Sequence, residues 1–158
     1  MVLAAALTAV AVGAFGAWTT DLSPWYYALR FPAWKPPDWL FGPAWTTIFA
    51  CAAAAGIIAW RAAPSRAARW WLLALFALNI NFNILWSGLF FRLQRPDYAL
   101  LEVVLLWLSI VALMVAFRRY APKAAWLLVP YLVWVTFAAA LNLAVVQLNA
   151  PFAGVGAR

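Results

Sequence analysis

Five long apolar runs, separated by shorter polar or basic stretches, constrain this chain more than any other feature. They cover approximately residues 2–18, 44–60, 70–90, 98–117 and 124–148. About 20 apolar residues cross the hydrocarbon core of a bilayer as a helix, in which every backbone polar group finds a partner. The runs lack the alternation of polar and apolar residues that barrel strands show. The sequence therefore predicts an all-α membrane protein, a single domain (1–158) built as a bundle of five transmembrane helices.

The charged residues are few and lie mainly between the apolar runs. Hydrophobic residues make up 69% of the chain and charged residues only 9%, whereas about 25% of a soluble domain is charged. The net charge of +7 sits where lipid headgroups lie, which indicates membrane lipids as partners and no nucleic acid. The chain has no histidine and only one cysteine, Cys51. Disulfides within the chain, Cys/His zinc sites and a histidine-bound haem are therefore excluded, and we expect no metal site.

The connection between the first two runs, residues 19–43, is unusually long and aromatic. Loops of this length inside compact proteins are usually functional or disordered, and disordered segments are poor in aromatic residues. This one contains seven aromatic residues and five prolines, and the prolines restrict its backbone. A stiff aromatic segment at the membrane surface either lies among the headgroups or folds over the mouth of the bundle as a lid. Composition alone leaves both arrangements open.

Asparagines in the third run predict a buried polar face. An amide that faces hydrocarbon without a partner is energetically costly. At about 100° per residue, Asn79, Asn83 and Trp86 share one face of the helix, and Asn81 points the opposite way. We therefore expect the first face to point into the bundle or a cavity. The third helix is expected to be central, with protein or a partner subunit on both sides.

The fifth run carries a second patterned face. Tyr131, Trp134, Ala138 and Asn142 fall on one side of the helix, and two aromatic rings, a small residue and an amide suit the wall of a pocket. The same residues also suit a purely structural arrangement of interhelical amide hydrogen bonds and packed aromatic rings. The pattern leaves both interpretations open.

Acidic residues, which could carry acid–base chemistry, are scarce. Glu102 lies in the fourth run near Arg92 and Arg95, and this predicts an interfacial salt bridge or a carboxylate that reaches the membrane surface. No acid pair, Ser/His arrangement or phosphate-binding glycine loop occurs in the sequence. Hydrolysis and phosphoryl transfer therefore find no support.

Five short motifs follow one another along the chain. They are Trp34-Lys-Pro-Pro-Asp-Trp39, Pro43-Ala-Trp45, Phe82-Asn83-Ile-Leu-Trp86, Val129-Pro130-Tyr131-Leu132-Val133-Trp134 and Leu141-Asn142. The motifs occur in the order and at the spacing of one family. The chain resembles the tryptophan-rich sensory protein and translocator protein family (TspO/MBR), also called the peripheral benzodiazepine receptor family. The resemblance covers essentially the whole chain, and five motifs in register with five spans exceed what chance similarity provides.

The resemblance implies a five-helix bundle, often dimeric, with a pocket beneath the first loop. In the family this pocket binds porphyrins, benzodiazepine-type drugs and sterol-like lipids. Matching the motifs residue by residue assigns the family's pocket aromatics, pocket amide and lid prolines to Tyr26, Trp34, Trp45, Trp134, Asn83, Pro36 and Pro37. The helical faces described above add four further candidate ligand-binding residues, Trp86, Tyr131, Ala138 and Asn142.

Two further properties of the family bear on this chain. Some bacterial members degrade protoporphyrin under light, a reaction attributed to tryptophans that match Trp45 and Trp134, so these two are the candidate catalytic residues. Animal members carry a cholesterol-recognition pattern after the last Leu-Asn pair, which needs a Tyr and then a Lys or Arg. The segment from Leu141 to Asn149 contains neither. Sterol binding is therefore not carried over.

The expected protein is a multi-pass receptor or sensor of a bacterial membrane. It is expected to bind porphyrins (protoporphyrin IX or haem) or related lipophilic molecules as ligands rather than cofactors, to regulate tetrapyrrole metabolism or transport, and to form a homodimer. Indole rings stack on a flat tetrapyrrole, and Arg30 and Lys35 are candidates for pairing with its propionates. A light-dependent porphyrin-degrading enzyme is the alternative, and a porphyrin or lipid transporter is the second alternative.

Overall fold

The computed structural model describes residues 23–153, which form helices and connecting segments with no strand in that range. The predicted first span, 2–18, lies outside the described residues. The elements, in chain order, are helix α1 (Pro24–Ala28), a 3₁₀ turn (Asp38–Leu40), α2 (Phe41–Ala62), α3 (Arg66–Ser87), a π-helical turn (Gly88–Arg92), α4 (Pro96–Tyr120), α5 (Pro122–Trp126) and α6 (Val129–Asn149).

Four of the described helical stretches are long and apolar enough to cross a membrane. They are Asp38–Ala62, Arg66–Arg92, Pro96–Tyr120 and Pro122–Asn149, with mean hydropathies of 1.5, 1.6, 2.6 and 1.9. Their outward surfaces carry large apolar side chains, such as Leu101 at 72% exposure and Val115 at 67%. Water would penalise so much exposed apolar surface, whereas lipid does not. The prediction of an all-α membrane protein is confirmed, with four spans within the described range.

Helix α4 is the central helix of the described part of the bundle, since it packs against both α3 and α6. The sequence predicts a central position for the third run, with protein or a partner subunit on both sides, and this stays a prediction because the first span lies outside the described residues. Asn81 is exposed, and its Nδ2 donates to the carbonyl of Ala77 one turn back, at 2.8 Å.

Small residues bring α2 close to its neighbours. Ala52, Ala55 and Ala59 are buried on one side of the helix. Gly56 faces α3, where a Cβ atom would lie 3.3 Å from Cε2 of Phe76. Small side chains allow two helix backbones to approach closely, and van der Waals packing then stabilises the pair in lipid.

The fifth run, expected as one helix over 124–148, is interrupted. Helix α5 ends at Trp126, and α6 begins at Val129. The cause is Pro130, whose ring has no N–H and clashes with the carbonyl four residues earlier, so a continuous helix through this point is unfavourable. The break places Tyr131 in the first turn of α6.

The end of the third run is shaped by a left-handed residue. Gln94 has a φ of 53° and follows the π-helical turn. On either side of it, the amide of Leu93 donates to the carbonyl of Gly88 and the amide of Arg95 donates to that of Leu89, both at 2.9 Å. The second bond is a seven-to-one bond, one residue wider than the six-to-one bond of a Schellman motif, and it likewise satisfies a carbonyl at the end of the helix. It directs the chain into α4.

Candidate ligand-binding site

A small cavity lies between the first connection, the end of α3 with the π-helical turn, and the middle of α6. Nine residues line it, of which six are aromatic: Tyr26, Phe31, Phe41, Trp86, Phe90, Phe91, Ala138, Leu141 and Asn142. The cavity volume is about 50 Å³, which is room for only a few water molecules. A concave, aromatic-lined space with a single amide in its wall has the composition of a small-molecule site.

The described part of the first connection, residues 23–40, folds over the bundle as a lid. Helix α1 begins with Pro24, whose fixed φ suits the first helical position. It carries Tyr26 inward, leaving that side chain 6% exposed. The ring of Tyr26 contacts Phe31 within the lid at 5.1 Å and Phe91 of the π-helical turn at 5.9 Å, centroid to centroid. Of the two arrangements that the sequence left open, the structure therefore has the lid.

Three polar side chains tie α1 to the 3₁₀ turn at the other end of the lid. The hydroxyl of Tyr26 donates to Oδ1 of Asp38 at 2.9 Å, and Lys35 Nζ forms an ion pair with the same oxygen. The Lys35 ammonium also lies 4.7 Å from the ring centroid of Phe31 and 5.6 Å from that of Tyr26. Burial, followed by the hydrogen bond to Asp38, raises the pKa of Tyr26 well above its usual range. The phenol therefore stays protonated and serves as a donor.

A second tie joins the lid to the end of α6. The backbone amide of Arg30 donates to Oδ1 of Asn149, and Nδ2 of Asn149 donates to the carbonyl of Arg30, both at 2.8 Å. The side-chain amide thus pairs with a backbone peptide group as a neighbouring strand would. The tie through Asp38 joins two parts of the lid, and the tie through Asn149 joins the lid to the bundle.

Two aromatic clusters flank the cavity. The lid cluster consists of Trp25, Tyr26, Phe31, Trp86, Phe90 and Phe91, and the inner cluster of Trp34, Phe41, Trp45, Phe49, Tyr131, Trp134 and Phe137. Trp86 stacks on Phe90 with centroids 5.3 Å apart. Phe41 joins the inner cluster to the cavity, because it lines the cavity and contacts Trp134 at 5.5 Å.

Buried amides connect the helices around the site. Nδ2 of Asn79 donates to Oγ of Ser109 at 2.8 Å, and Nδ2 of Asn83 donates to the hydroxyl of Tyr131 at 3.2 Å. With its amide oriented so that both atoms are satisfied, Asn142 donates to the carbonyl of Pro96 and accepts from the amide of Leu100, each at 3.0 Å. These bonds join α3 and α6, which both line the cavity, to each other and to α4.

Comparison of the sequence with known proteins identifies the family. The sequence model of the TspO/MBR family matches residues 4–148. The chain is 42% identical to tryptophan-rich protein TspO of Chlorobaculum tepidum, over 89% of this chain and 90% of that protein. It is 37% identical to tryptophan-rich protein TspO of Archaeoglobus fulgidus, over 94% and 96%. It is 33% identical to the translocator protein of Ovis aries, over 75% and 70%.

The chain belongs to the TspO/MBR family. The resemblance found in its motifs is thereby confirmed. The structure also shows how this TspO/MBR protein arranges the residues that the motifs single out.

The predicted ligand-binding residues of this TspO/MBR chain fall into three groups. Four of them line the cavity: Tyr26, Trp86, Ala138 and Asn142. Four belong to the inner cluster: Trp34, Trp45, Tyr131 and Trp134. The remaining three are Pro36 and Pro37 in the lid, and Asn83, which is bonded to Tyr131. Of the two predicted propionate partners, Lys35 is paired with Asp38, and Arg30 is held through its backbone.

Sequence reasoning did not single out five of the lining residues, Phe31, Phe41, Phe90, Phe91 and Leu141. A signal existed for some of them. Phe31 and Phe41 belong to the aromatic first connection, and Phe90 lies one helical turn after Trp86. Phenylalanine has no polar group, so its sequence pattern does not distinguish a cavity wall from lipid contact.

Glu102 in this TspO/MBR chain is not the interfacial ion pair that the sequence predicted. Its side chain is 6% exposed, and neither carboxylate oxygen has a hydrogen-bond partner among the described residues. Arg95 pairs instead with Asp97, Nε to Oδ1, at 2.8 Å. Arg95 and Asp97 are only two residues apart and pair with each other, so the guanidinium of Arg95 does not pair with Glu102, whose side chain stays buried among the helices.

Glu102 lies opposite another buried polar group. It is one heptad before Ser109, and Trp86 is one heptad after Asn79, so the hydrogen bond between Asn79 and Ser109 puts Glu102 and Trp86 at the same level of adjacent antiparallel helices. The indole Nε1 of Trp86 is also buried without a hydrogen-bond partner in the described range. An unsatisfied donor and an unsatisfied carboxylate therefore stand beside the cavity wall.

Proposed function

We propose that this protein is a membrane receptor for porphyrins or similar flat, lipophilic carboxylic acids, which bind beneath the lid. The observation that carries the proposal is the cavity between two aromatic clusters, closed by a segment that holds the ammonium of Lys35 beside the cavity-lining Phe31. Aromatic rings offer edges and faces to a flat π-system. An ammonium group pairs with a propionate.

We further propose that residues 2–18 form a fifth helix that completes the bundle, and that the protein forms a homodimer in a bacterial membrane. Binding of the ligand then regulates tetrapyrrole metabolism or transport. Membership of the TspO/MBR family supports these elements, as do the four apolar helices.

Ligand binding requires the lid to move. The cavity of about 50 Å³ is far smaller than the roughly 300 Å³ or more of pockets for drug-sized ligands, and a tetrapyrrole is larger still. The lid is attached by a few side-chain hydrogen bonds and ring contacts, whereas the helices beneath it are packed along their lengths. Outward movement of the lid is therefore the motion that admits a ligand at least cost.

The test is a titration of the purified protein with protoporphyrin in the dark, in detergent and in lipid nanodiscs. We expect saturable quenching of tryptophan fluorescence with a Kd of about 1 μM or lower, which corresponds to about −8 kcal/mol. The variant Trp126→Phe, which changes an exposed ring outside both clusters, should bind equally well. An absence of saturable quenching in both environments would refute the receptor proposal.

Light-dependent porphyrin degradation is a second candidate function. The observation in its favour is the direct contact between the rings of Trp45 and Trp134, because indole is the most easily oxidised of the ordinary aromatic side chains. Illumination of the protoporphyrin complex in air should then yield new absorbing products, faster than illumination of protoporphyrin in protein-free detergent. Equal rates in the two samples would refute the enzyme function and leave ligand binding as the remaining one.

Transport of the ligand is a third candidate, favoured by the name of the sheep relative, translocator protein. The test is uptake of a fluorescent porphyrin into proteoliposomes compared with protein-free liposomes. Uptake at the same rate in both would exclude transport and would not affect the binding proposal.

A further inference from the structure

In the closed lid, one carboxylate from the chain itself satisfies a cation and a phenol at once. Oδ1 of Asp38 accepts from the hydroxyl of Tyr26 at 2.9 Å and pairs with Nζ of Lys35. Tyr26 belongs to the cavity wall, and Lys35 lies over the ring of Phe31, which also belongs to it. The anion is thus held at the edge of the space that the proposed ligand enters.

The two donors form a receptor suited to any carboxylate. An ammonium and a protonated phenol that converge on one oxygen give a charge-assisted pair together with a neutral hydrogen bond. Asp38 itself is exposed, at the 3₁₀ turn that begins α2. It can therefore turn outward to water when another anion takes its place, whereas Tyr26 is buried and cannot find water without movement of the lid.

We propose that Lys35 and Tyr26 form a carboxylate-binding subsite at the lid, and that Asp38 is the internal carboxylate which a ligand carboxylate displaces on binding. This inference rests on the proposed function and specifies which ligands that site prefers. An acidic ligand replaces both bonds that it breaks, so displacement of Asp38 costs it little. A neutral ligand of the same shape must break the Lys35–Asp38 and Tyr26–Asp38 bonds without replacing them.

The difference should appear in the relative affinities for protoporphyrin and its dimethyl ester, which share the ring but differ in charge. Hydrogen bonds to charged groups are strong enough that the loss of one changes affinity by about tenfold. We therefore expect the wild-type protein to bind the diacid about tenfold more tightly than the ester in dark titrations.

Three variants separate the contributions of Asp38 and Lys35 to ligand preference. Asp38→Asn removes the competing charge and weakens the tie, so the affinities for the diacid and the ester should both rise. Lys35→Met removes the ammonium, so the affinity for the diacid should fall while that for the ester rises, and the preference should disappear. Lys35→Arg keeps the charge and should keep the preference. If Lys35 acted on folding alone, Lys35→Met would change the affinities for both ligands in the same direction.

Asp97→Asn is the matched control. It also removes one carboxylate from a short-range ion pair, with Arg95, but that pair does not touch the lid. It should leave both affinities unchanged. If Asp38→Asn behaves like this control, or if Lys35→Met lowers both affinities equally, the subsite is refuted while the receptor function stands. If the wild-type protein binds neither compound, both proposals are refuted.

Discussion

The indole rings of Trp45 and Trp134 meet edge to face, with their centroids 6.5 Å apart and their planes inclined by 79°. Trp45 lies in the second turn of α2, and Trp134 lies in the second turn of α6. Residues far apart in the sequence thus form one contact behind Phe41, which lines the cavity. A ligand that displaces Phe41 would reach both indoles.

Phenylalanine at either tryptophan position separates binding from photochemistry. Trp45→Phe and Trp134→Phe each keep an aromatic face but remove the indole, which is easier to oxidise. We expect each variant to bind protoporphyrin in the dark within a few-fold of wild type. If the protein is an enzyme, each should lose most of the light-driven loss of porphyrin absorbance, and unchanged photolysis in both variants would show that the two indoles are not reactive.

Replacement by leucine should affect stability and porphyrin binding at Asn83 but leave binding unchanged at Asn81. Asn83→Leu removes the bond to Tyr131, which contacts Trp45 at 6.1 Å. It should lower stability by about 1–3 kcal/mol and weaken porphyrin binding. Within residues 23–153, the side chain of Asn81 bonds only to the carbonyl of Ala77, so Asn81→Leu should leave binding unchanged and act, if at all, on self-association. Fluorescence titration and light scattering measure the two effects, and equal losses of binding from both folded variants would contradict the assignment.

The helical period predicted the faces of individual helices well. The burial of Asn79 and Asn83 and the exposure of Asn81 follow from an angle of 100° per residue, which the backbone imposes whatever surrounds the helix. The interruption before α6 was also present in the sequence, since Pro130 requires it. Treating residues 124–148 as one helix gave too little weight to that proline.

Contacts between distant residues could not be predicted in the same way. The tie between Arg30 and Asn149 joins positions 119 residues apart, and nothing in either segment specifies the other. Glu102 was assigned a partner from its proximity to Arg95 in sequence, but its surroundings depend on how α3 packs on α4. A helical period fixes the direction of a side chain relative to its own helix and leaves the neighbouring helix undetermined.

Removal of the Glu102 carboxylate, which has no hydrogen-bond partner in the described part of the chain, should stabilise the fold. Because a buried carboxyl group without a partner is costly, Glu102→Leu should raise the free energy of unfolding by about 1 kcal/mol or more. Glu102→Gln, which keeps a polar group of the same shape, should stay closer to wild type. Denaturation in mixed detergent micelles measures both. A clear loss of stability in Glu102→Leu would show that the carboxylate has a partner in the membrane-embedded protein.

Glycine should give a more stable fold than glutamine at position 94, the left-handed residue before α4. The φ of 53° at Gln94 costs a residue with a Cβ about 1 kcal/mol that glycine does not incur. Gln94→Gly should therefore raise the thermal midpoint by a few degrees, whereas Gln94→Val, which is β-branched, should lower it. The same ranking should hold with and without porphyrin, because the turn lies outside the cavity wall. A lower midpoint for the glycine variant would contradict the strain assigned to this turn.

Locking the lid tests most directly whether the ligand enters beneath it. Arg30 and Asn149 lie in contact, so cysteines at both positions, in a Cys51→Ala background, can be joined by a short, cleavable bifunctional thiol reagent. The doubly substituted protein should bind protoporphyrin before crosslinking, lose saturable tryptophan quenching once it is crosslinked, and regain it after cleavage. Single-cysteine variants treated with the same reagent should bind throughout. Undiminished quenching in the crosslinked protein would place the porphyrin outside the lid and contradict the proposed site.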